Sequence, residues 1–119
     1  MAFSWNSELP SGRNPYWIRD EALAGLGLHP GDLVSVDTQA DARDGDLVVV
    51  EMELDDDSVR TARRCFFTCA DRVRLEPVGQ PDLAPIELPA DQVIVMGVIA
   101  ARLRLAADGA SAIEEPLEA

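Results

Sequence analysis

Apolar and polar positions along this chain change over short stretches, with little sign of a helical period. Leu33-Val34-Ser35-Val36-Asp37 is short and apolar-rich and predicts a strand. Leu47 to Leu54 (LVVVEMEL) opens as a continuous apolar run and closes in alternation, Val50 and Met52 apolar against Glu51 and Glu53 polar. That half has one buried face and one wet face. Asp55-Asp56-Asp57 reads as a charged hairpin turn, and Val59 to Phe67 as the returning strand. Tyr16 to Arg19 and Arg72 to Leu75 carry strand propensity. Val93 to Leu105 (VIVMGVIAARLRL) fits a long strand or a helix. Its β-branched residues and Gly97 favour strand for the first half.

Helix is expected in one place. Ala22, Leu23 and Ala24 favour a helical turn that Gly25 and Gly27 end, and His29-Pro30-Gly31-Asp32 then turns into the next strand. PGDLVSVD at 30–37 recurs as DGDLVVVE at 44–51, 14 residues on. In both, a permissive Gly and a backbone-capping Asp precede an apolar strand. Many short strands with Gly and Pro turns, including the Pro-rich stretch 76–89, predict a mainly-β barrel or sandwich with one short helical turn. The expected division is a flexible arm over 1–15, with Phe3 and Trp5 available to anchor it, a β domain over 16–105, and a loose acidic tail over 106–119.

Composition narrows the partners. At 119 residues the chain suffices for one domain with a single core. Asp and Glu number 22 against 10 basic residues, for a net charge of −12. Every basic residue is arginine, and the chain has no lysine. Such a surface repels phosphate backbones, which argues against direct nucleic-acid binding and permits a basic protein partner. No apolar run approaches the roughly 20 residues of a membrane span, and residues 1–15 lack the order of a secretory signal. The expectation is a cytoplasmic protein without membrane contact. Cys65 and Cys69 lack the CxxC spacing and cannot form a zinc set with the single histidine, His29, so neither metal nor cofactor is expected.

With these pieces in order, the sequence resembles the LexA/UmuD/phage-repressor family of Ser–Lys peptidase domains. The matching pieces are Pro30-Gly31-Asp32-Leu33-Val34-x-Val36-Asp37, Asp44-Gly45-Asp46-Leu47-Val48-Val49 and Val59-Arg60-Thr61-Ala62-Arg63. Leu75-Glu76-Pro77, Pro85-Ile86 and Met96-Gly97-Val98-Ile99 complete the set, over residues 16–104. Active members use a serine nucleophile and a neutral lysine as general base. Counting back from Pro30-Gly31-Asp32, the family's serine falls on Ala22, its preceding Gly-Asp on Asp20-Glu21 and its methionine on Leu23; its lysine falls on Ala62. Methyl groups neither attack a carbonyl nor accept a proton, and a lysine-free chain offers no substitute amine.

Two explanations of these alanines are weighed. An engineered Ser–Lys peptidase, inactivated at Ala22 and Ala62, would keep the motif's Gly, whereas Asp20 replaces it here. Natural loss of the dyad is the favoured reading. Residues 1–15 contain no Ala-Gly or Cys-Gly scissile pair, and Ala24-Gly25 reads as a helix end. An arm without a helix-turn-helix places the layout nearer the UmuD-like members.

The resemblance implies homodimerisation through the carboxy-terminal strands, with Val93, Val95, Met96, Val98, Ile99 and Arg102 as contact candidates. It further implies a partner-binding regulatory module in a DNA-damage or phage-type control circuit. A third reading is an acidic phage or mobile-element protein that blocks a nucleic-acid-binding partner. Weaker candidates have plainer readings. Ser35, near Asp37 and His29, alternates with Val34 and Val36 and is expected to face solvent. Asp55 to Asp57 lacks the spacing of a calcium loop. Arg60, Arg63 and Arg64 are expected to pair with carboxylates.

Overall fold

A computed structural model describes residues 12–69, 71–105 and 112–117, the side chain of Cys69 excepted. Among the described residues, eight antiparallel strands form one sheet: β1 (Arg13–Trp17), β2 (Leu33–Asp37), β3 (Leu47–Leu54), β4 (Asp57–Cys69), β5 (Arg72–Glu76), β6 (Ile86–Pro89), β7 (Val93–Leu105) and β8 (Ala112–Glu115). The order is β1-β2-β7-β3-β4-β5-β6, with β8 alongside β7. Two 3₁₀ turns, Ala24–Leu26 and Ala90–Gln92, are the helical content of the described residues.

The continuous apolar start of β3 has a direct cause. Val49 packs into one cluster with Ile18, Leu23, Leu28, Val34, Val36, Ala62 and Ile99. Its neighbours Val48 and Val50 pack into another with Met52, Cys65, Val73 and Leu75. Both faces of β3 are covered, so alternation disappears there. It returns at Glu51 and Glu53, where one face opens to solvent. Gly97 on β7 lies so close to β2 that a Cβ there would meet Val36 Cγ1 at 2.4 Å. Leu33 and Leu103 close over Ala112, seating β8.

Several expectations change. Arg13 to Pro15 are not arm but the start of β1, in register from Arg13 opposite Asp37 to Trp17 opposite Leu33. The rest of the expected arm, with Phe3 and Trp5, lies outside the described residues. The tail contains β8, with Arg104 opposite Ile113 and Leu105 opposite Ala112. β7 is a strand throughout, because both halves are paired: the first with β3, the second with β2 and β8. The Pro-rich stretch also yields β6, whose Pro89 sits at the strand end where its missing N–H costs least. The hairpin tip falls on Asp55 and Asp56, at φ of 52° and 68°, a two-residue turn that needs left-handed backbone at both positions. The helical turn sits two residues later than expected and closes on Gly27 at φ 76°.

Candidate functional site

The positions where chemistry would sit are built by β1, the 3₁₀ turn and β4. After β1 the chain runs into Asp20, whose carboxylate organises the turn. One oxygen accepts the Ala22 backbone N–H at 2.9 Å, a local Asx-type turn. The other accepts the Thr61 hydroxyl on β4 at 2.9 Å. The carboxylate thus ties the Ala22 turn to β4 at Thr61, whose side chain lies on the opposite strand face from that of Ala62. Ala22 is fully buried, and Ala62 is 4% exposed and part of the core.

A second brace closes the other side. The Val78 N–H donates to the Ala22 carbonyl at 2.7 Å, and the Gly25 N–H donates to the Val78 carbonyl at 2.8 Å. Gly25 and Gly79 face each other backbone to backbone, and a Cβ on Gly79 would lie 2.3 Å from Gly25 Cα. The turn is therefore held by hydrogen bonds on two sides and by glycine contact on one.

Charge around the turn is ordered. Arg63 is buried, donating weakly to Thr61 Oγ1 at 3.4 Å and to the Ala84 carbonyl at 3.5 Å. Burial lowers its pKa, and the Asp20 carboxylate works in the opposite direction. Tyr16 packs against the same cluster, with Arg19 5.8 Å above its ring. Burial raises its phenol pKa. Asp20 was legible as a departure from the family pattern. An Asp two residues before a turn amide is also the sequence signal of an Asx turn, so its tie to Ala22 could have been read; its tie to Thr61 could not.

The other candidates fall elsewhere. Ser35 is not solvent-facing: it is fully buried, and its hydroxyl donates to Glu114 on β8. Arg13 Nη1 contacts both oxygens of Glu114, at 2.9 and 3.1 Å, and Arg13 Nε lies 3.7 Å from Asp37. Alternation placed Ser35 correctly on the face opposite Val34 and Val36. What alternation could not show is that β8 covers that face. His29 Nδ1 lies 3.0 Å from Glu21 on the surface, away from Ser35's partners. Of the three arginines expected to meet carboxylates, Arg60 does so at Glu51, 3.2 Å. Arg64 instead donates to the Gly45 carbonyl at 2.8 Å, and Arg63 to the groups above. Burial, with Asp46 and Asp44 adding to it, pushes the Cys65 thiol up to about 11.

On β7 the expected contact residues divide. Ile99 lies in the protein's own core and offers a partner no surface. Val93, Val95 and Val98 pack against the second cluster and Met96 against the first. Arg102 Nη2 donates to the Gly27 carbonyl at 2.6 Å. The large apolar side chain that β7 exposes most is Ile94, which sequence reasoning did not single out. Leu105 on β7 and Ile113 on β8 are also exposed. No helix among the described residues is long and apolar enough to cross a membrane.

Comparison with known proteins matches residues 3–100 to the model of the Peptidase S24-like family. The chain is similar to the LexA repressor of an Anaeromyxobacter species, 33% identical over 85 residues, 69% of this chain and 34% of that protein. It is also similar to the LexA repressor of Enterococcus faecalis, 37% identical over 82 residues, 69% of this chain and 36% of that protein. The chain thus spans about a third of the length of these curated relatives.

Proposed function

Since this chain belongs to the Peptidase S24-like family, we propose that it is a member that binds without cleaving, a dimerisation and partner-binding module with no working dyad. The observation that carries this reading is the environment of Ala22 and Ala62. Neither can act as nucleophile or base, and the Asp20 carboxylate bonds the Ala22 amide and the Thr61 hydroxyl, tying turn to strand. The family's regulatory members, LexA repressors among them, make a role in DNA-damage or phage-type control the natural setting.

Asp20 also separates natural loss of the dyad from an engineered double knockout. At Ala22 the backbone amide of the turn is held by the Asp20 carboxylate, where the family pattern has Gly, so restoring the two side chains does not restore the motif. The Ala22→Ser/Ala62→Lys variant is therefore expected to stay intact during prolonged incubation from neutral to alkaline pH, as judged by intact-mass spectrometry. Cleavage by that double variant would favour the knockout reading. Cleavage of itself or of an added peptide by the unaltered chain would overturn the proposal.

For self-association, the exposed apolar side chains near the ends of the carboxy-terminal strands are Leu105 and Ile113, on opposite faces of the β7–β8 ladder, rather than Ile99. Light scattering is expected to show a dimer that Leu105→Ser/Ile113→Ser dissociates. A monomer in the unaltered chain would remove the dimer from the proposal.

A further inference from the structure

The sheet face that carries Ala62 continues outward into a groove. Ala62 lies opposite Val49. Two residues further along the strands, Arg60 lies opposite Glu51, and Glu51 lies opposite Ile94. Residues two apart on a strand share a face, so Glu51, Arg60 and Ile94 extend the Ala62 face beyond the core. Ile94 is 62% exposed. Around it, Glu51, Glu53, Asp55, Asp56 and Asp91 line a groove of about 600 Å³ between the β3–β4 tip and the turn before β7. Arg60 pairs with Glu51. Among the described residues, none of the other four carboxylates is in an ion pair.

An exposed isoleucine inside a ring of unneutralised carboxylates selects its occupant by charge. A second copy of this chain, docking the same face by twofold symmetry, would set acid against acid. Nucleic acid and an anionic membrane surface would meet the same repulsion. A segment that flanks an apolar side chain with cations would neutralise the rim and cover Ile94 together.

We propose that this groove is the docking surface for an extended, arginine- or lysine-rich segment of a partner protein, whose apolar side chain covers Ile94. The proposal rests on the non-cleaving reading: a segment seated beyond Ala62 is held there, because the face offers no nucleophile.

The test uses a fluorescein-labelled synthetic peptide of alternating arginine and threonine with one central leucine, titrated with the full chain while anisotropy is read. A chain of net charge −12 attracts cations everywhere, so two charge-matched variants are compared. Glu53→Gln/Asp91→Asn alters the groove; Asp82→Asn/Glu87→Gln removes the same charge elsewhere. The expected result is about a tenfold loss of affinity for the groove variant and less than about twofold for the distant one. Ile94→Ser is expected to weaken binding about fivefold at unchanged charge. Circular dichroism checks that each variant is folded. Equal losses in the two charge variants, or no effect of Ile94→Ser, would overturn the proposal. So would a dimer, seen by light scattering, that Ile94→Ser dissolves. Peptide cleavage during the titration would instead count against the non-cleaving reading, leaving localisation to be judged on the variants.

Discussion

The Asp20 carboxylate accepts the Thr61 hydroxyl at 2.9 Å, tying the turn that holds Ala22 to the strand that holds Ala62. It also caps the Ala22 amide, and its charge acts on the buried Arg63. Asp20→Ala would leave the Thr61 hydroxyl and the Ala22 amide without their acceptor and Arg63 without its counter-charge. The expected loss is about 3 kcal/mol in urea denaturation. Thr61→Val, which keeps the Ala22 cap, should lose about 1 kcal/mol. Losses of equal size in the two variants would show that the Asp20–Thr61 bond alone accounts for the effect.

The contact between Gly25 and Gly79 tolerates no side chain. Gly79 has φ of 73° and would place a Cβ 2.3 Å from Gly25 Cα. Gly79→Ala combines left-handed backbone strain with overpacking and should destabilise by about 3 kcal/mol. Gly31, also at positive φ, has nothing within 4 Å of its Cβ position, so Gly31→Ala should lose only about 1 kcal/mol. Thermal unfolding of the two variants side by side measures the difference.

Glu114 fastens β8 to the sheet through Ser35 and Arg13. Glu114→Ala leaves a buried hydroxyl and a half-buried guanidinium without their main acceptor, and should lower stability by about 2 kcal/mol. Hydrogen exchange should quicken in the second half of β7, at Arg102 to Leu105, while β3 and β4 stay protected. Uniform quickening across the sheet would show that β8 is not a separate unit.

Cys65 should behave as a protected thiol. With its pKa pushed up to about 11 from an ordinary 9.0, it stays protonated at pH 8. In a Cys69→Ser background, iodoacetamide should label it only as fast as the protein unfolds. The native state holds this proton where the unfolded chain releases it, so stability should be full below about pH 9 and fall as pH rises toward 11. Cys65→Ala should flatten that alkaline decline.

Short apolar runs, Gly-Asp turns and two β-branched stretches were enough to read β2, β3, most of β4, and β5 from the sequence, because each has a local period or turn signal. The alanines at 22 and 62 were legible for a different reason: their meaning comes from spacing to Pro30-Gly31-Asp32 and to Val59. Side-chain chemistry alone was enough to say what those methyl groups cannot do. The absence of lysine was likewise a property of the sequence.

Tertiary structure decided what lies against what. Ser35 carries the same local pattern whether its strand face meets water or β8, and only the return of Ala112–Glu115 across β7 buries it. Ile94 and Ile99 look alike in an apolar run. Pairing with Glu51 on β3 leaves Ile94 in an acidic groove, whereas the bulge opposite Val36 on β2 turns Ile99 into the core. Asp20 read locally as a departure from a family motif. The fold gave that carboxylate a partner 41 residues away, a long-range contact that no local pattern encodes.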